Sequence, residues 1–102
     1  IGEGIELRKA GIDAPVLILG AIHSPEQIRA IAHFSLQPTL VSPQQALTFE
    51  DTLSSLNQSL WVHVKLDTGM SRLGMPWQQG VEFVRLVERC RHLRLASIYS
   101  HL

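Results

Sequence analysis

The residues best equipped for chemistry stand close together in Lys65-Leu66-Asp67-Thr68-Gly69-Met70-Ser71-Arg72-Leu73-Gly74. Arg72 offers a planar, permanently charged fork that suits a phenolate oxygen or a substrate carboxylate. Lys65 lies inside a patterned strand, residues 60–66, whose faces differ. Val62, Val64 and Leu66 fall on one face, while Trp61, His63, Lys65 and Asp67 fall on the other. The apolar face suits helices packed outside a sheet, and the polar face suits a lining that ends in a site. A bare ammonium at Lys65 would be expensive to bury. Two remedies are open: an ion pair with Asp67, two residues on along the same face, or addition of carbon dioxide to the neutral amine, giving an anionic carbamate. Asp67-Thr68-Gly69 suits a strand-to-helix turn, with polar side chains satisfying free N–H groups and glycine free to take positive φ. His101 ends a further strand and brings an imidazole to a second strand end. Met70, Leu73 and His63 are read as packing residues, His63 as filling one register below Lys65.

These residues need a scaffold, and its elements alternate. Ile5, Leu7, Ala10 and Ile12 are the apolar positions of a short helix, and Gly11 sits where a glycine would end it. Val16-Leu17-Ile18-Leu19 is a continuous apolar run, expected to be a strand buried on both faces. Ser24-Pro25-Glu26-Gln27 starts a helix with serine at N-cap, proline at N1 and glutamine at N3 able to bond back. Ile28, Ile31, Ala32 and Phe34 then form its apolar stripe. Thr39-Leu40-Val41 is a second strand, and Ser42-Pro43-Gln44-Gln45 repeats the capping pattern before Ala46, Phe49, Leu53 and Leu56. After the strand at 60–66, Pro76 opens a helix with Val81, Val84, Val87 and Cys90 inward. Arg85, Arg89, Arg91 and Arg94 gather near its end, where cations meet the dipole favourably. Leu95 to Tyr99 is the last strand. Alternation with short connections predicts right-handed crossovers and a parallel sheet. Pattern alone leaves an open sheet and a piece of a barrel equally available.

The pattern Lys-x-Asp-Thr-Gly-Met-x-Arg-x-Gly over residues 65–74 is similar to the signature of alanine racemases, isomerases that depend on pyridoxal phosphate (PLP). Glu3 to Ile12 followed by Ala14 to Gly20 resembles that family's second helix and third strand, and Ile98-Tyr99-Ser100-His101-Leu102 resembles its Tyr-Thr-His-Phe segment. The likeness spans almost the whole chain in the family's order. It implies part of the PLP-binding (β/α)8 domain, about four parallel strands (strands three to six), without the mainly β domain that follows. A whole barrel needs about 250 residues. Ile1 at the start and His101-Leu102 at the end both look cut, so the expectation is an internal piece of a longer protein.

The resemblance also assigns roles. Arg72 would contact the phenolic oxygen of PLP and the carboxylate side of the substrate. Lys65 would be an N6-carboxylysine that holds Arg72 in place. His101 would hydrogen-bond near the cofactor ring, and Asp67, Thr68 and Gly69 would form the turn. The implied reaction interconverts L- and D-alanine, supplying D-alanine for peptidoglycan, with PLP as electron sink while the α-proton leaves one face and returns on the other. Of the family's two bases, the PLP-bearing lysine and a tyrosine from the partner subunit of a homodimer, neither segment is among these residues, so this chain alone is expected to be inactive. Ala96-Ser97 departs from the acidic residue and glycine that relatives often show there. The rivals are a racemase of another amino acid such as serine, and a non-catalytic relative on the same barrel. Asp67-Thr68-Gly69 is also the triplet of aspartic proteases, but those are β-rich, usually continue with serine or alanine, and need a second copy.

Composition sets the bounds. The chain has 102 residues, 45% of them hydrophobic, the size of one small domain. Nine basic and nine acidic residues cancel, and no run of like charge argues for nucleic acid or a membrane surface. Cys90 is the single cysteine and fits a reducing compartment. His23, His33 and His92 show no metal-like spacing. No apolar run approaches the roughly 20 residues that span a bilayer, so the cytoplasm is expected. Four strands taken from a closed barrel would leave two open edges, so the isolated chain is expected to be marginal or to associate.

Overall fold

The computed structural model describes residues 1–19, 22, 24–67 and 77–101. Its elements run α1 (Gly2–Lys9), β1 (Leu17–Ile18), α2 (Pro25–His33), β2 (Gln37–Leu40), α3 (Pro43–Leu56), β3 (Leu60–Asp67), α4 (Trp77–Arg89) and β4 (Leu93–His101). The strands form one sheet in the order β1-β2-β3-β4, every pair parallel. Each strand thus lies beside its predecessor after a helical crossover, the arrangement of a (β/α)8 segment.

Local chemistry explains the helix starts. The Ser24 hydroxyl accepts from the N–H of Gln27, and Gln27 Oε1 accepts from the N–H of Ser24 at 3.4 Å, a complete capping box behind Pro25. Ser42 likewise accepts from the N–H of Gln45 at 3.2 Å. The Gln45 side chain departs from the expected return to the cap. Its Oε1 accepts from the N–H of Val41 at 2.8 Å, and its Nε2 donates to the carbonyl of Ile22. α1 ends at Ala10 with Gly11 at φ +85°, and α3 ends on Asn57 in the left-handed region.

The core lies between sheet and helices. Ile28, Ile31, Leu36, Leu40, Phe49, Leu53, Val62, Val64 and Val87 are fully buried there. Gly4 lets α1 approach closely, since a Cβ there would stand 3.1 Å from both Ile18 Cδ1 and Leu36 Cδ1. Beside β4, Leu66, Val81, Val84 and Ile98 line an open apolar groove of about 280 Å³.

Four expectations need correction. The apolar run at 16–19 is covered on one face only: Ile18 is buried, while Leu17 is 45% and Leu19 70% exposed. Apolar content cannot distinguish a second layer of helices from the inside of a curved sheet. The buried stripe of α4 runs through Gly80, Phe83 and Val87, with Val84 partly covered and Val81 half-buried. Phe83 takes the inward position because residues 80, 83, 84 and 87 follow the i, i+3, i+4, i+7 spacing of one helix face, whereas steps of three from Val81 drift off it. The second strand is Gln37–Leu40, ending before Val41, whose N–H goes to the Gln45 side chain. The last strand is longer than Leu95 to Tyr99, because Leu60 N–H binds the His92 carbonyl and starts the pairing early.

Candidate functional site

The face of the sheet away from the helices carries the polar side chains, and β3 and β4 supply most of them. Their register sets the order: Trp61 stands opposite Arg94, His63 opposite Ser97, Lys65 opposite Tyr99 and Asp67 opposite His101. Ala96 is the extra residue of a bulge between the Val62–Leu95 and His63–Ser97 pairs. Below the bulge Arg94 faces inward, its guanidinium 5.9 Å from the Trp61 ring. Above it the parity of β4 is reversed, so Ser97 and Tyr99 join the inner face.

Three layers follow along β3. The Arg94–Trp61 contact is lowest. Next, His63 Nε2 lies 2.7 Å from Gln37 Oε1, and His63 Nδ1 lies 2.6 Å from Ser97 Oγ. Above that, the Tyr99 hydroxyl donates to Thr39 Oγ1 at 3.5 Å, reaching across β3. Lys65 belongs to this third layer, is half-buried, and has no hydrogen-bond or ion-pair partner among the described residues. Asp67 and His101 pair one step further on by backbone position, at the C-terminal ends of adjacent parallel strands. Sites of (β/α)8 enzymes are built at this end of the sheet.

Of the residues singled out from sequence, the fold thus sets Lys65, Asp67 and His101 on one face at one end. Thr68, Gly69 and Arg72 lie outside the described residues. The face also holds groups to which the sequence reading gave no role at the site: Gln37, Thr39, Ser97 and Tyr99. Only Tyr99 had a visible signal, as part of the segment ending in His101. The Lys65 cation, the Thr39, Ser97 and Tyr99 hydroxyls and the His63 imidazole on this face form a donor set suited to an anionic, oxygen-rich small molecule.

A second polar group sits at the opposite end of the strands. Glu50 of α3 accepts from the His92 backbone N–H at 2.8 Å and pairs with His92 Nδ1. Burial pushes the neighbouring Cys90 thiol above its ordinary range, and the Glu50 carboxylate adds to this while Arg89 opposes it. A thiol held protonated is a poor nucleophile, and this cluster ties α3 to the loop before β4. Arg8 does comparable work on the other side, donating to the carbonyls of Phe34, Ile12, Ala14 and Ser35.

Comparison with known proteins gives a consistent answer. The model of the family described as "Alanine racemase, N-terminal domain" matches residues 1–102. An alanine racemase of a Synechocystis species is 64% identical over 102 residues, covering 100% of this chain and 27% of that protein. The structure of a Clostridium difficile alanine racemase in complex with cycloserine superposes with a TM-score of 0.82 at 30% identity, covering 99% of this chain and 28% of the other. A histidine racemase from Leuconostoc mesenteroides reaches a TM-score of 0.82 at 22% identity, covering 100% of this chain and 27% of the other, a likeness of fold alone. The chain spans about a quarter of the length of these relatives.

Proposed function

The chain belongs to the alanine racemase N-terminal domain family, and from that premise we propose that it is a segment of the PLP-binding barrel of an enzyme that interconverts L- and D-alanine. The observation that supports this best is the register of β3 and β4. It brings Lys65 and Asp67, which open the Lys-x-Asp-Thr-Gly-Met-x-Arg-x-Gly signature, beside Tyr99 and His101 at the C-terminal end of a parallel sheet.

The residues of this face fit PLP, whose phenolic oxygen, phosphate and ring all call for hydrogen-bond donors and cations. When bound, the cofactor supplies an electron sink for the charge left when the substrate's α-proton departs. Arg72 would place a guanidinium on the phenolic oxygen and on the substrate carboxylate side. Lys65, as N6-carboxylysine, would present an anion that orients Arg72. A carbamate would also give Lys65, which has no ion-pair partner among the described residues, a charge that matches the arginine it must meet. His101 would hydrogen-bond on the cofactor side, and Asp67, Thr68 and Gly69 would turn the chain from β3 toward α4. The proton-transfer bases belong to other parts of the whole protein, a homodimer in this reading, so the 102 residues alone are inactive. The product, D-alanine, would serve peptidoglycan synthesis in the cytoplasm.

The test is an alanine racemisation assay on the full-length protein with PLP, monitoring loss of optical activity from L-alanine with L-serine in parallel. The expected result is conversion of alanine, with Arg72→Ala lowering kcat about 100-fold, the scale of removing one preorganised charge-stabilising donor. A carbonyl carbon signal that appears after equilibration with 13C-labelled carbon dioxide and vanishes in Lys65→Ala would support the carbamate. Turnover of serine in preference to alanine would move the specificity, and absence of any racemisation would overturn the reading.

A further inference from the structure

We propose that His63 is a positioning residue: held by Gln37 on one side and Ser97 on the other, it sets where Lys65 stands in the layer above. The inference rests on the reading of Lys65 as the group that holds Arg72. Gln37 belongs to β2, His63 to β3 and Ser97 to β4, so one imidazole ring joins three consecutive strands. A filling residue would need only volume, whereas this ring is fixed at both nitrogens.

The donors can be assigned. The Gln37 Oε1 atom only accepts, so His63 Nε2 carries the hydrogen, and in the neutral ring Nδ1 accepts from the Ser97 hydroxyl. Rotating the ring would break both bonds and leave partly buried polar atoms unpaired. The bulge makes the second bond available. In an unbroken register Ala96 would stand opposite His63, and Ser97 would turn toward the helices. One register step above, Lys65 stands opposite Tyr99, whose hydroxyl reaches Thr39. Lys65 is therefore framed by two cross-strand ties, one beneath it and one at its own level, and the lower tie is the shorter by almost an ångström. Displacing His63 would let β2 and β4 shift against β3 at the point where Lys65 leaves the strand, and a misplacement of about 1 Å at a catalytic site can cost a large rate factor.

The experiment uses full-length protein with PLP, comparing wild type with Ser97→Ala, His63→Leu and His63→Gln. Imidazole 15N spectra should show the hydrogen of His63 held on Nε2 wherever the ring carries only one, with the Nδ1 resonance moved in Ser97→Ala. In His63→Leu the Lys65 side-chain 13Cε resonance should move and kcat should fall about tenfold with KM little changed. His63→Gln, whose amide can both donate and accept, should bring the resonance back and recover most of kcat. Filling alone predicts the opposite ranking, because leucine supplies volume and glutamine supplies bonds. A His63→Leu protein with wild-type kcat and an unmoved Lys65 resonance would overturn the proposal, as would equal loss in His63→Gln. Should the wild type lack racemase activity, the proposed function falls by itself, and the 15N and Lys65 resonances still decide the role of His63.

Discussion

Val62 and Val64 are fully buried on the helix side of β3, whereas His63 and Lys65, alternating with them, stand half-buried on the other side. The helix side is held by apolar volume from Leu40, Phe49, Phe83 and Val87. The inner side is held by directed bonds between named atoms on three strands. One strand therefore carries two kinds of information. Its apolar positions specify that the chain folds, and many residues of the right size would serve. Its polar positions specify what the folded chain can hold, and few substitutes have the right donors.

The sharpest way to break this comparison is to exchange the chemistry of neighbours, in full-length protein. Val64→Asp puts an unpaired carboxylate in the helix-side core and is expected to cost about 3–5 kcal/mol, seen as loss of soluble, cooperatively unfolding protein in urea. Arg8→Ala tests whether ties outside the inner face also matter. It frees four backbone carbonyls from a guanidinium and should cost about 1.5–3 kcal/mol, read as a lower denaturation midpoint with racemase activity per folded molecule retained. Ser24→Ala removes one half of a capping box and should cost about 1 kcal/mol by the same measurement. Lys65→Met should change the midpoint by less than about 0.5 kcal/mol while removing activity, the reverse of Arg8→Ala. The smallest effect is kinetic. Because burial and Glu50 hold the Cys90 thiol protonated, its alkylation by iodoacetamide at pH 8 should be slower than that of free cysteine and faster in Glu50→Gln. The sign for stability follows: a raised thiol pKa in the folded state favours folding at lower pH, and that contribution fades as the pH rises past the ordinary thiol value of 9.0 toward the folded value.

Much of the scaffold was legible because its signals are local. Ser24, Pro25 and Gln27 lie within one helical turn, and the alternation from Trp61 to Asp67 needs only strand geometry to assign its faces. Gly11 announced its helix end for the same reason. What escaped is non-local. Arg8 meets Phe34 and Ser35 across more than twenty residues, and Glu50 meets His92 across forty-two. No composition rule picks those partners from other arginines and glutamates. The bulge at Ala96 hid differently, inside an ordinary strand-forming run where a single extra residue leaves no periodic trace. The proposed roles of Lys65, Asp67 and His101 came from the signature and the Tyr99-His101 segment. The sheet adds that their positions share one face and one end.

That extra residue also gives β4 some slack in length. Residues 93–95 and 97–101 are paired with β3 in two separate frames, joined at Ala96. A chain shortened by one residue at Ala96 could run straight from Leu95 into Ser97 with every remaining pair intact. The same loss at Ile98 would turn Tyr99 and His101 to the helix side and bring Ser100 opposite Lys65. Insertions and deletions in this strand are therefore not equivalent: at the joint they are absorbed, and a few ångströms further on they invert the face that carries the chemistry.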